Sequence, residues 1–400
     1  MKLLFVTPQL PYPPHQGTAI RNWGLLRHLA ERHSVSLICF GQAVDAHLTQ
    51  VCSDVITVTP PERGPGRRLL ALLRGTADLA DRLWSPALAA AVDEALRRTV
   101  FDIVQIEGLE LAPYLATIRK ARPATKVVYD AHNAEHLIQQ RALANDWRNP
   151  RRWLAAAYSA TQIVRLRRLE AATAHRVNAV TCVSTEDAAA LRRVAPGTDP
   201  LVIPNGVDLS SYLPTDESTG PRRVVFTGKM DYRPNVDAAI WFAKEIWPAV
   251  RSAAPDAEFH IVGQRPASTV AALARFPGVV VTGAVPDIRP HLAGAAVYVA
   301  PLRMGGGTRF KLLEAFALAR PVVSTRIGAE GFAVRDGSEL RLADRTVDFA
   351  QAVLALLADR SEAARLGQAA RAFVAAGYDW GQIVPRLEAL YGQLLDLPGV

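Results

Sequence analysis

The sequence predicts an α/β protein of two doubly wound, Rossmann-like domains in tandem. Three observations predict it. Short apolar runs alternate with stretches of helical periodicity along the chain, the pattern of parallel sheets covered by helices on both faces. The alternation lapses once, in the polar stretch Ser210–Gly220, and then restarts. At 400 residues the chain also exceeds what one hydrophobic core serves, so two domains of about 150–200 residues are the default.

In the first half, Lys2–Thr7 reads as a strand, followed by a Pro/Gly loop and a helix from about Ala19 to Glu31. Val35–Phe40, Val51–Val58, Phe101–Ile106, Lys126–Tyr129 and Ala179–Val183 read as further strands. After the polar linker come a strand at Arg223–Phe226, a helix over Val236–Ala253, and strands at Glu258–Val262, Val279–Thr282 and Val297–Ala300. A helix from about Arg309 to Ala319 and a strand at Pro321–Ser324 follow. The stretch Trp380–Leu395 carries Leu387, Leu390, Tyr391 and Leu394 at helical spacing. The predicted division is an N-terminal domain 1–205, a C-terminal domain 206–378, and a final helix 379–400 packing back on the first domain. Two such domains are expected to face each other across a cleft, with ligands at the carboxyl ends of the strands.

Composition narrows the class. Half the residues are hydrophobic and 21% are charged, as in a well-buried globular protein. Cys39, Cys52 and Cys182 lie far apart, without metal or redox spacing, which suits a reducing compartment. The apolar run at the N-terminus stops at Pro8, and no apolar stretch reaches membrane-spanning length, so a cytoplasmic protein is expected. The net charge of +8 is uneven: residues 1–205 hold 25 Lys/Arg against 18 Asp/Glu, or +7, leaving +1 for the rest. The densest basic stretch runs from Arg141 to Arg168 and includes Arg148, Arg151, Arg152, Arg165 and Arg167. It is either a solvated helix face or a contact for an anionic partner, a lipid-phosphate acceptor or the inner membrane surface. No nucleic-acid-binding module is recognisable, so no nucleic-acid partner is expected.

The segment Pro301–Ala317 carries the most chemistry. A strand runs into Gly305, Gly306 and Gly307; Thr308 stands where an N-cap would, and a helix begins. Glycines let the backbone approach a ligand, and the first helical turn offers N–H groups and the positive dipole end to a diphosphate. Arg309 and Lys311 add charge there. Glu314, three residues after Lys311 on the same face, is placed to accept from sugar hydroxyls, such as those of a ribose. The plainer alternative is a strand–turn–helix bearing a Lys311–Glu314 surface pair.

This segment resembles the donor-binding motif of the family-4 retaining glycosyltransferases, which have the two-domain GT-B fold. Glu314-Ala-Phe-Ala-Leu-Ala-Arg-Pro-Val-Val-Ser324 is similar to the second half of their motif, whereas the family's first glutamate is replaced here by Gly306. That glutamate contacts the donor sugar in the family, so its role would pass to backbone N–H groups of Gly306 and Gly307 or be lost. Ile203–Asp208 resembles the inter-domain signature, and Phe226-Thr-Gly-Lys229 the first strand and basic turn of the donor domain. The resemblance therefore implies that Gly228 and Lys229 meet the diphosphate. The family's second basic residue is not in place, Asn235 lying about there, and Arg309 or Lys311 would supply the charge. By the same likeness Gly263 and Val285 lie near the base, Leu313 lines the donor site, and Gly17, after His15, approaches the phosphate from the first domain.

The Asp130-Ala-His132-Asn-Ala-Glu135-His136 run follows a strand. A metal site there is set aside for want of a third ligand cluster. The resemblance instead puts His132 beside the donor sugar as a neutral imidazole, and Glu107 reads as a loop charge.

The resemblance implies a metal-independent retaining hexosyltransferase that needs no cofactor and takes a nucleotide-diphosphate sugar. The acceptor would be a glycan or lipid-linked glycan, as in polysaccharide biosynthesis, with peripheral contact at the membrane. His132, Lys229, Arg309, Lys311 and Glu314 would carry the chemistry by positioning and charge. A non-catalytic nucleotide-sugar-binding subunit and a nucleotide-sugar epimerase are the alternatives. A dinucleotide-dependent oxidoreductase would need Gly-x-Gly-x-x-Gly after the first strand, where Pro8-Gln-Leu-Pro-Tyr-Pro-Pro stands.

Overall fold

The computed structural model describes residues 1–14, 16–62, 75–147, 150–214, 222–305 and 309–396. The chain divides into two units, one of Met1–Asn205 with Ile383–Val400, the other of Gly206–Gln382. The second crossing therefore falls at Gln382/Ile383, a few residues beyond the 378/379 read from the sequence.

Among its described residues, the N-terminal unit holds a seven-stranded sheet: β1 (Lys2–Thr7), β2 (Ser34–Phe40), β3 (Asp54–Val58), β4 (Ile103–Glu107), β5 (Lys126–Ala131), β6 (Ala179–Cys182) and β7 (Leu201–Val202). All pairs are parallel, in the order β3-β2-β1-β4-β5-β6-β7, with Val6 opposite both Ile38 and Ile106. The strands are apolar because helices cover both faces. Leu4, Val6, Val104, Ile106, Val127 and Tyr129 form one side of that core. β3 begins at Asp54, not Val51: Asp45 caps a short helix over Ala46–Val51 by accepting from the His47 N–H.

The C-terminal helix, Trp380–Asp396, contributes from Ile383 onward to the N-terminal unit. Ile383, Val384, Leu387, Tyr391 and Leu394 are buried, while Leu390 is half-buried. Glu388 accepts from Arg32 Nε and Nη2 at 2.9 and 2.8 Å, and it lies 2.8 Å from His33 Nε2. The Tyr391 hydroxyl donates to Gln105 Oε1 of β4.

Among its described residues, the second unit carries a six-stranded parallel sheet: β8 (Arg223–Thr227), β9 (Glu258–Val262), β10 (Val279–Gly283), β11 (Val297–Ala300), β12 (Val322–Ser324) and β13 (Arg341–Leu342), in the order β10-β9-β8-β11-β12-β13. Phe242, Trp247, Phe259 and Phe349 pack in its core, the Phe242 and Phe259 rings 4.4 Å apart. The helix expected over Val236–Ala253 starts earlier, at Arg233, with Pro234 in its first turn. It is interrupted by a π-turn at Phe242–Ile246, where the Trp247 N–H bonds back to Phe242 O. Pro248 follows, a residue that cannot supply the next N–H of an α-ladder. β13 and the helices Thr346–Ala358 and Arg360–Gly377 went unread in the sequence.

Candidate functional site

In the second sheet the strand order reverses between β8 and β11, whose carboxyl ends mark the crevice where open α/β sheets take ligands. Gly228 and Lys229 leave β8, and Pro301 leaves β11 toward Gly305. Gly263 leaves β9 at φ +150°, with its N–H donating to Gly283 O at 3.2 Å. A Cβ on Gly263 would lie 1.7 Å from Gly228 O, so the two loops touch backbone to backbone. Gly263→Ala should therefore destabilise the C-terminal unit by about 3 kcal/mol, from overpacking against main chain, as urea denaturation would read it.

Lys311 lies in the first turn of the Phe310–Ala317 helix, and its ammonium reaches the end of β8. Nζ donates to Asn235 Oδ1 at 2.7 Å and sits 4.6 Å over the Phe226 ring. A Cβ on Gly228 would come within 3.0 Å of that Nζ. Asn235 is fixed in turn by donating from Nδ2 to Lys229 O at 3.0 Å. Lys311 thus brings an ammonium beside Asn235 from another element, with Asn235 as its seat. Burial, with the neighbouring Arg309 charge, pushes its ammonium down to about 7.

Arg309, expected inside the helix, is its N-cap residue and is buried, with its guanidinium nitrogens over Gly305. Gly305 has φ +113°, a conformation costly for any side chain. Glu314 accepts from the Tyr212 hydroxyl at 2.9 Å, and burial pushes its carboxyl up to about 7. The Lys311–Glu314 surface pair of the plainer reading does not form, because Lys311 turns to Asn235 and Glu314 to Tyr212. Lys229 points outward, 3.6 Å from Asp231 Oδ1.

The remaining sequence candidates are spread more widely. Gly306, Gly307 and Thr308 lie outside the described residues, as does His15. Leu313, expected to line the donor site, is instead fully buried in the apolar core with Leu312 and Phe316 and offers a ligand no surface. Val285 is half-buried beside the same cluster. Gly17 is the exposed first residue of the Gly17–Ala30 helix.

The N-terminal unit has its own polar centre at its switch point, where β1 and β4 are neighbours. Arg21 is buried and grips Asp130, Nε to Oδ2 at 2.6 Å and Nη2 to Oδ1 at 2.9 Å. Its Nη1 donates to Pro204 O and Asn205 Oδ1. Thr181 also donates to Asp130 Oδ1, at 2.6 Å. His132 Nε2 lies 2.8 Å from Glu107 Oε2, and Gln105 Nε2 donates to Glu107 Oε1 at 2.5 Å. Glu107 is consequently no loop charge: it ends β4, fully buried. Burial and the adjacent Asp130 push its carboxyl up to about 7. For Asp130, burial opposes ionisation, but Arg21 outweighs it and holds the carboxyl well below the usual range. For His132, burial lowers the pKa, yet the Glu107 hydrogen bond and charge raise it overall. The shift is toward the charged imidazole, where the sequence reading has a neutral one.

Glu107, Asp130 and His132 bring three ligand-type atoms within 4.8 Å of one another, so the third group that the sequence lacked does exist. Their carboxylate oxygens already accept from Arg21, Thr181 and Gln105, and Glu107 Oε2 is hydrogen-bonded to His132.

Two family descriptions match the chain in succession: "Glycosyltransferase Family 4" over residues 16–211 and "Glycosyl transferases group 1" over residues 221–359. A phosphatidyl-myo-inositol mannosyltransferase of Propionibacterium freudenreichii subsp. shermanii is 30% identical over 225 residues, 54% of this chain and 56% of that protein. The chain thus spans little more than half the length of that curated relative. Among solved structures, HepE of Anabaena, in complex with UDP and glucose, superposes with a TM-score of 0.70 at 16% identity, over 98% of this chain and 100% of that one. Sucrose-phosphate synthase from Thermosynechococcus elongatus gives 0.73 at 19%, over 98% and 99%. At such identities these likenesses show the fold, the two Rossmann-like domains of the GT-B class.

Proposed function

Since the chain belongs to the family-4, group 1 glycosyltransferases, we propose that it transfers a sugar from a nucleotide-diphosphate donor to a glycan or lipid-linked acceptor, with retention of configuration. The observation that carries this reading is Lys311, an ammonium seated on Asn235 and Phe226 at the end of β8, inside the switch-point crevice. A buried cation there suits a ligand bearing at least two negative charges. Glu314, one turn further along the helix, suits vicinal hydroxyls, since an ionised carboxylate can accept from two at once.

In this reading Lys311, Arg309 and Lys229 neutralise the diphosphate as the glycosidic bond breaks. The acceptor hydroxyl attacks on the face the leaving group departs from, and its proton passes to the leaving phosphate oxygen. The protein's share is position and charge, not a covalent intermediate. Three cations in and around the crevice take the role a divalent metal has elsewhere, so turnover is expected to persist in EDTA. His132 is assigned to a hydroxyl of the transferred sugar by family likeness. Its bond to Glu107 fixes the ring.

The test is a panel of nucleotide sugars incubated with the protein in EDTA, with release of nucleoside diphosphate measured. One donor should be hydrolysed slowly, and Glu314→Ala or Lys229→Ala should lower that rate about 10–100-fold. Failure to bind any nucleotide sugar would refute the reading. Binding without release, even after lipid extract is added, would point to the non-catalytic alternative.

A further inference from the structure

We propose that Tyr391, on the C-terminal helix, is a positioning residue for sugar transfer, its hydroxyl holding His132 in place through a buried hydrogen-bond chain of Gln105 and Glu107. The inference rests on the assignment of His132 to the transferred sugar. All four residues belong to the N-terminal unit.

A strand buried on both faces is expected to be apolar, as Ile103, Val104 and Ile106 of β4 are. Gln105 and Glu107 break that pattern, and at a spacing of two they project to the same face. Both are buried, Gln105 at 1% exposure and Glu107 at 0%. A buried amide or carboxyl is costly unless it is hydrogen-bonded, and here each is used at both ends. Glu107 Oε2 lies 2.8 Å from His132 Nε2, while its Oε1 accepts from Gln105 Nε2 at 2.5 Å. Gln105 Oε1 in turn accepts from the Tyr391 hydroxyl. The chain runs unbroken from the last helix to the histidine.

Chemistry gives the chain its direction. A carboxylate accepts and does not donate, so Glu107 takes the amide nitrogen of Gln105 and leaves Oε1 for Tyr391. Burial, with the Glu107 charge nearby, raises the Tyr391 hydroxyl above its ordinary value, so it keeps the proton it donates. Glu388, three residues earlier on the same helix, is held by Arg32 and His33, which pins the helix where Tyr391 meets β4. At the far end, the bond to Glu107 puts a proton on Nε2 of His132. Nδ1 has no partner among the described residues and is the nitrogen left for a sugar hydroxyl. With the tyrosine hydroxyl gone, Gln105 Oε1 lacks a donor and nothing stops the amide from turning. Glu107 then loses the donor to its Oε1, and His132 loses its fixed seat.

The experiment is Tyr391→Phe, which keeps the ring and removes the hydroxyl, in full-length protein carrying isotopically labelled histidine. The Nε2-bound proton of His132, identified by its loss in His132→Gln, should be protected and far downfield in the NMR spectrum of wild type. In Tyr391→Phe it should move upfield or vanish into exchange with water. In the donor-hydrolysis assay kcat should fall about tenfold with KM for the nucleotide sugar held within about twofold, since the chain serves the sugar contact and not the diphosphate. Gln105→Met breaks the next link and should give the same changes, and the double variant should be no worse than Gln105→Met alone. Leu394→Ala loosens the same helix without touching the chain; it should lower the melting temperature and leave the His132 proton where it is. An unmoved His132 proton in Tyr391→Phe would overturn the proposal, as would a moved one with kcat unchanged. The proton is read without a donor present. If wild type hydrolyses no nucleotide sugar, the transferase reading fails, while the signal still decides whether Tyr391 governs His132.

Discussion

Replacing Arg21 with methionine is expected to cost the N-terminal unit about 3–5 kcal/mol, because it leaves the buried Asp130 carboxylate without its counter-ion. The loss is large because Glu107 lies in the same pocket, and a second acidic group makes an uncompensated charge harder to hold. For a unit of this size that is a fall of about 6–20 °C in melting temperature. The paired change Arg21→Met/Asp130→Leu should recover much of it, since neither member of the pair is then left buried without the other. The pH dependence has a definite sign. The folded pKa of Asp130 lies below its unfolded value, so its contribution is complete above pH 4 and disappears as pH falls through the folded value. Arg21→Met should therefore lose its deficit against wild type in acid. A loss under 1 kcal/mol at neutral pH would show that the pair does not hold this unit together.

Lys311→Met is expected to lower turnover about 10²–10³-fold, the effect of removing one preorganised cation from a developing oxyanion. It should not destabilise the protein. Burial holds the Lys311 pKa at about 7 in the folded chain, below its value in the unfolded one. Between those two values the unfolded state binds the extra proton, so wild-type stability rises with pH through that window. Methionine removes this linkage, and near neutral pH the variant should be at least as stable as wild type. A bound diphosphate would pull the ammonium back to its charged form, so nucleotide affinity in wild type should fall as pH rises above about 7. Calorimetry in buffers of different ionisation enthalpy should register uptake of up to one proton on binding, and none in Lys311→Met. Unchanged affinity and unchanged proton uptake in the variant would remove Lys311 from the diphosphate site.

Much of the fold was legible because its signals are local. Strands such as Lys2–Thr7 and Glu258–Val262 are apolar runs bounded by breakers, and a parallel sheet buries both faces, so nothing blurs them. β7 and β13 went unread because two residues carry no periodicity. The Ala46–Val51 helix was missed because one turn and a half is too short to show a stripe, although Asp45 before it was a visible cap. The site divides the same way. The glycines, Arg309, Lys311 and Glu314 sit in one segment and were read together. Asn235 could be found only as an absence, a polar residue where a cation was wanted, because its use depends on Lys311 arriving from 76 residues away. Tyr212 sat inside a stretch read as linker. Glu107 looked like a charge after a strand, and only β5 pairing beside β4 brings it to His132. Contacts between distant segments belong to the topology, and one sequence does not spell them out.

The bond from Tyr391 to Gln105 has a consequence for biosynthesis. The N-terminal unit includes Ile383 and the residues after it, so the whole Gly206–Gln382 unit is threaded into the chain before the first unit has its last helix. On a ribosome adding about 5–20 residues per second, roughly 10–35 s separate Asn205 from that helix. The usual order of domain maturation is then inverted: the unit encoded second can complete its core first. Through that interval the apolar surface that Leu387, Tyr391 and Leu394 cover in the folded chain has nothing to cover it. A truncation before Ile383 should leave the N-terminal unit in that state for good.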